Sequence, residues 1–283
     1  MKKHDYQTLP LNKGKIMLYD FGMMRLHVYQ TNDLMNDMAF ILEKKGHGII
    51  LEPPYFFENM KELKTYLDLL NLQLDGVVTA YHLTGLFLPQ AERRATKKVV
   101  EDGQREDDQN MADNFAVTFE KVFDKNIFQI KYFFKTGTTT LGGIKMNIQE
   151  TAEAFDVEFP EINAIYIHML GHDCHSIVTG KKQAEEMISR LKNCLQKRYD
   201  LILTSHYVPE DLFDAKTKIH YLETLLILAE KSASAEEFQT SMQKKYPQYD
   251  GEDYLEMTAN FFFPKKHTCR QTISKNQMDE LKL

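Results

Sequence analysis

Apolar and polar residues in the first fifty positions alternate at the two-residue spacing of half-buried strands. KIMLYDFG, MRLHVYQT and MAFILEKKGHGIILE carry this pattern. In the last of these, two apolar runs flank Lys44-Lys45-Gly46-His47-Gly48, whose glycines suit a tight hairpin, and Pro53 and Pro54 end it. The spacing then turns helical. Leu63, Leu67 and Leu70 fall on one face of MKELKTYLDLLNLQ, with Asn59 placed to cap it. GVVTAY (76–81) reads as a strand and 89–102 as a helix. The charged stretch EDGQREDDQN (101–110) reads as a flexible joint, and the strands IFQIKYFF and GGIKMNI flank a turn at KTGTTT.

The second half alternates NAIYI, a helix from Lys181 to Lys197, LILTS, and a helix starting near Pro209. YLETLLILAEK, AEEFQTSMQKKY and EDYLEMTANFFF give a helical end, with Ser234 and Glu237 spaced as a capping box. Strands early, helices interspersed and helices last define an α/β or α+β layered protein. Neither a glycine-rich phosphate loop nor a Gly-x-Ser-x-Gly elbow interrupts the pattern.

Composition narrows the partners. With 43% hydrophobic and 27% charged residues the chain has the balance of a soluble globular protein. A formal charge of −6 argues against a nucleic-acid backbone as partner. No apolar run is long enough to cross a bilayer, and MKKHDYQTLP lacks the apolar core of a signal peptide. Three scattered cysteines (Cys174, Cys194, Cys269) suit a reducing compartment. The expectation is a cytoplasmic protein with neither nucleic-acid nor membrane partners, acting on a small-molecule substrate or ligand.

The candidate chemistry is imidazole. GVVTAY leads to His82, NAIYI to His168 and DLILTS to His206, and His168 opens the stretch HMLGHDCH, which adds His172, Asp173, Cys174 and His175. Strand ends are where α/β sheets gather binding groups. Three histidines delivered to one edge would supply neutral nitrogen ligands for zinc or iron. A strand-end histidine is also commonly a residue hydrogen-bonded to a nearby carbonyl, so each taken alone admits that reading.

From about residue 14 to residue 262 the chain resembles the metallo-β-lactamase fold superfamily. The hairpin is similar to the family's opening strands, with Glu52 where an aspartate is usual, and DGVVTAYHLTG is similar to the approach to the motif Thr-His-x-His-x-Asp-His. Thr79 and His82 match that motif, whereas Ala80, Thr84 and Gly85 replace a histidine, an aspartate and another histidine. Downstream, FPEINAIYIHMLGHDCH and DLILTSH resemble the segments that carry a bridging aspartate and the later histidine ligands. His168 falls near the aspartate, His175 near the histidine beyond it, His206 at the last ligand and Glu150 at the remaining one.

The resemblance implies one four-layer αββα sandwich over 1–283 with a helical C-terminal extension. Its usual two-metal site is dismantled, which leaves a rearranged one-metal site drawn from His82, His168, His172, His175 and His206. It implies metal-activated water as nucleophile, with Glu150 or Asp173 as general base, and an atypical hydrolase of unknown substrate. Two rivals stand beside that reading: a non-catalytic member of the fold that binds a small molecule or a protein partner, and a metal-free oxidoreductase built on Cys174.

Overall fold

In the computed structural model, which describes residues 5–33, 36–82, 88, 91–105, 130 and 132–264, the strands form two sheets. The first contains β1 (Gln7–Leu11), β2 (Gly14–Asp20), β3 (Arg25–Thr31), β4 (Met38–Lys44), β5 (His47–Leu51), β6 (Gln73–Val78), β7 (Arg93–Thr96) and β8 (Tyr132–Phe134), in that spatial order. Its first five strands are antiparallel and the rest are added in parallel. The second runs β13-β12-β11-β10-β9, from β9 (Gly137–Leu141), β10 (Ile144–Glu150), β11 (Phe155–Phe159), β12 (Ala164–Ile167) and β13 (Leu201–Thr204). Only β12 and β13 pair in parallel there.

The two-residue period sorts side chains between layers. Met38, Phe40 and Leu42 of β4 enter a core shared with Met146, Ile148, Val157, Phe159, Ala164 and Tyr166 of the other sheet. Ala39 and Ile41, one step out of phase, pack with Leu63, Tyr66 and Leu67 of α1 (Phe57–Leu70). Ile165 and Ile167 of β12 likewise face outward, onto α3 (Lys181–Lys197), α4 (Leu212–Lys231), α5 (Ala235–Lys245) and α6 (Glu252–Phe262). Helix, sheet, sheet, helix is the arrangement the alternation requires once both faces of both sheets must be dry. A short α2 (Lys97–Gly103), capped by Thr96, sends Val99 into the central core.

Several local expectations change. Helix α1 starts after Phe56, and Asn59 lies inside it, donating to the Lys13 carbonyl and the Tyr29 hydroxyl rather than capping. The stretch 93–96 is strand β7, with helix only from Lys97. KTGTTT is mostly strand β9, and the turn sits at Gly142-Gly143, whose φ of 57° and 70° glycine adopts freely. Strands β1 and β11 went unread, and the helix placed near Pro209 begins at Leu212 behind an Asp211 capping box. The Ser234 cap is present, its hydroxyl accepting the Glu237 N–H at 3.2 Å. Thr84, Gly85, Cys269, most of IFQIK and the second half of the charged joint lie outside the described residues.

Phe40 is fully buried between the sheets, with its ring edge-on to Tyr166 at 5.7 Å. Phe40→Ala is expected to cost about 3–5 kcal/mol, read from the urea midpoint.

Candidate metal centre

Strands β6, β12 and β13 end at the same rim of the sandwich, and the chain leaves each of them toward a histidine. His82 follows β6 by four residues, His168 follows β12 directly and His206 follows β13 by two. The three rings meet: centroids are 5.4 Å apart for His82 and His168, 4.9 Å for His82 and His206, and 5.5 Å for His168 and His206. One nitrogen from each lies within 4.8 Å of the other two, close enough for the three to draw in around a single ion. Burial holds the His82 imidazole well below its ordinary pKa, and His206 and His168 add to the effect. Burial, then His206 and Arg190, do the same to His168. These two rings are therefore neutral, the form that ligates.

A buried carboxylate shapes the approach to His82. Glu52, directly after β5, holds a left-handed backbone with φ 55°, a conformation that costs a non-glycine residue about 1 kcal/mol. Its side chain offsets that cost by accepting the N–H groups of Ala80, Tyr81 (3.1 Å) and His82 (2.6 Å). The amides of an irregular segment are thus satisfied where a regular ladder has ended. Burial nonetheless raises the Glu52 carboxyl to about 7. The Tyr55 ring leans on His82 from the other side, at 5.0 Å.

His168 is fixed by stacking. The Tyr81 ring lies parallel to it, 4.5 Å away with 10° between the planes. The Tyr81 hydroxyl contacts Thr151 (3.0 Å) and receives Arg190 Nη2 (3.2 Å), while Arg190 forks onto Asp156. Thr151, Asp156 and Arg190 line a cavity of about 260 Å³ together with Glu150, Glu153 and Glu186. Glu150 is exposed there, at the end of β10. The Tyr81 hydroxyl thus touches the lining of an open, acidic cleft, while its ring stacks on His168.

The rest of HMLGHDCH turns away from the three rings. The His172 N–H and Nδ1 both meet the buried Glu210 Oε1, at 2.7 and 2.9 Å, and Nε2 lies 3.5 Å from Asp214. His175 Nδ1 pairs with the Tyr221 hydroxyl at 3.1 Å in a cluster with Tyr249, and burial lowers its pKa to about 4. Asp173 is exposed and accepts from the Tyr207 hydroxyl. Burial raises the Cys174 thiol above its ordinary value, which disfavours a nucleophilic thiolate.

Lys218, buried on α4, clamps the loop by donating to the carbonyls of Gly171 (2.7 Å) and Cys174 (2.9 Å). A Cβ on Gly171 would stand 2.4 Å from the Tyr207 ring, so only glycine lets the chain pass. Sequence reading overlooked Asp37, Arg190, Glu210 and Lys218. None sits in a pattern that singles it out, and only Glu52 carried a signal, through its place at the end of the hairpin.

No family model matches the sequence, and no curated protein matches it. Solved structures do match. A metallo-β-lactamase family protein from Thermus thermophilus superimposes with a TM-score of 0.59 at 11% identity, covering 85% of this chain and 91% of that one. BLEG-1, a B3 metallo-β-lactamase, gives 0.55 at 9% identity over 70% and 99% of the two chains. TMB-1 gives 0.51 at 14% identity over 77% and 97%. The chain has the metallo-β-lactamase fold.

The Glu210 hydrogen bond, then the Asp214 and Asp173 charges, raise His172 above the usual 6.5, burial opposing them. A raised folded-state value means that the stabilisation is complete below 6.5 and is lost as pH climbs through the raised value. The urea-midpoint gap between wild type and His172→Ala is therefore expected to be widest at acidic pH and to narrow in the alkaline range.

Proposed function

We propose that the protein binds one divalent metal ion through His82, His168 and His206 and works as a metal-dependent hydrolase of a small molecule. The observation that carries this reading is the convergence of the three rings, one nitrogen of each lying within 4.8 Å of the other two. His82 Nδ1 and both oxygens of Asp37 are buried without hydrogen-bond partners among the described residues. Buried polar groups that make no hydrogen bond are costly, and the groups nearest these are ionisable: His206 Nδ1 stands 3.2 Å from Asp37 Oδ1, and Glu52 Oε2 stands 3.4 Å from His82 Nδ1. Three imidazoles in one place suit zinc or ferrous iron.

When bound, such an ion supplies Lewis acidity and an activated water. The chain does the rest. Tyr81 and Glu52 hold His168 and His82 in place. The cleft beyond Tyr81 is assigned to the substrate, and Glu150, exposed at its wall, is assigned as the group that takes a proton. Asp173, tied to Tyr207, is assigned to the loop instead. His172 and His175, each committed to a partner of its own, are assigned outside the ligand set.

The non-catalytic reading draws on Ala80, which is fully buried where the fold's motif has a ligand. Elemental analysis of protein purified without added metal, and again after zinc is supplied, separates the two. One equivalent of metal supports the hydrolase. No retention at neutral pH favours the binding protein.

His82→Ala and His206→Ala are expected to abolish metal retention after gel filtration, while His172→Ala and His175→Ala keep it close to one equivalent. With Ala80, Thr84 and Gly85 in place of three ligands, purified chain loaded with zinc is expected to hydrolyse β-lactams weakly or not at all. Efficient turnover in a chromogenic cephalosporin assay would contradict the one-metal assignment.

A further inference from the structure

Asp37 lies immediately before β4, in a stretch with no apolar pattern to mark it. Its backbone is fixed on both sides. Its carbonyl accepts the Thr31 N–H (3.0 Å) and hydroxyl (3.2 Å), and the next residue, Met38, donates its N–H to the Ser205 carbonyl at 2.8 Å. That last bond crosses from the first sheet to the residue preceding His206. The Asp37 side chain is 1% exposed, and its Oδ1 stands 3.2 Å from His206 Nδ1. The pair is at ion-pair distance without the alignment of a hydrogen bond, and neither Asp37 oxygen has another donor among the described residues.

We propose that Asp37 is a positioning residue for His206: its carboxylate accepts the proton on Nδ1 and so selects the tautomer whose bare Nε2 is left to bind a metal. The purpose of this pairing rests on the metal-binding reading above; the pairing itself does not. A neutral imidazole carries one proton, and the nitrogen facing a carboxylate is the one that keeps it. The opposite tautomer would set a nitrogen lone pair against a buried anion with no donor between them. The imidazole–Cβ torsion is broad, so the ring can turn to complete the bond without leaving a rotamer well.

Glu52, the neighbouring buried carboxylate, faces a different ring, its Oε2 lying 3.4 Å from His82 Nδ1. Its oxygens already receive the amides of residues 80–82. The two acids therefore divide the rim, Glu52 holding residues 80–82 beside the His82 ring and Asp37 facing the His206 ring. A carboxylate behind a ligating histidine also raises the basicity of the nitrogen that faces the metal.

The test is a long-range proton–nitrogen correlation spectrum of the ¹⁵N-labelled full chain, recorded first without metal and then during titration with zinc chloride. His206, assigned by its loss in His206→Ala, is expected to carry its proton on Nδ1 with Nε2 bare before zinc is added. Asp37→Ala is expected to show mixed tautomers and a zinc affinity about 10–100-fold lower. A wild-type His206 protonated on Nε2 overturns the proposal, and so does an Asp37→Ala protein with unchanged tautomer and affinity. The wild-type spectrum decides even if Asp37→Ala does not fold. The expected tautomer in a wild type that ignores zinc upholds the pairing and removes the metal reading instead.

Discussion

Contact between the apolar inner faces of the two sheets is the constraint on which everything else rests. His82 belongs to the first sheet and His168 and His206 to the second, so the three rings meet only because the sheets pack with their strand ends at one rim. The packing is made by Phe40, Leu42, Leu51 and Val78 against Ile148, Val157, Tyr166 and Leu203. Tyr166 shows how closely core and rim are joined: its ring packs on Phe40, and its hydroxyl reaches Ser205, beside His206. Side chains interlocked at crystal-like density cannot slide past one another, so the rim inherits the rigidity of the core.

Electrostatics at that rim follow from burial. Taking imidazoles out of water favours their neutral form, and taking carboxylates out of water favours protonation unless donors or cations are supplied. Glu52 obtains donors from the backbone it holds in place. Asp37 faces His206, whose Nδ1 stands 3.2 Å from its Oδ1. Asp156 has Arg190, and that pair anchors Tyr81. Each buried acid thus serves a separate segment of the site.

Histidines that are close in sequence have been given different work. His168 is the last residue of a strand exit and is held by a stacked tyrosine. His172 and His175 lie beyond Gly171, where the Lys218 clamp and the Tyr207 ring bend the chain away toward α4. Cys174 and Asp250 then form a bridge, and the His175 N–H donates to the Asp250 carbonyl at 2.8 Å, which ties the loop to the helical C-terminal part. The loop is in this sense a joint between the candidate centre and the last helices.

The layered architecture could be read from sequence because alternation and helical spacing are local and repeat over many residues: β2 to β5, α1 and α3 fall close to where the apolar pattern puts them. Elements without such a signal were lost, among them the edge strand β1 and β9, whose threonines and glycine look like a turn until β10 pairs with them; β11, Phe-Asp-Val-Glu-Phe, does alternate, but over only five residues. Of the site, the chain declared that His82, His168 and His206 end strands, because an apolar run stopping at a histidine is visible in one dimension. It did not declare which of the histidines in HMLGHDCH stay with them, since that choice is made by Gly171, Tyr207, Glu210 and Lys218, residues brought together from three separate segments. Nor did it reveal Asp37, whose proximity to His206 exists only across the meeting of two sheets. Periodicity fixes which face a residue shows; the partner on the far side of that face is set by packing, and only the folded chain holds it.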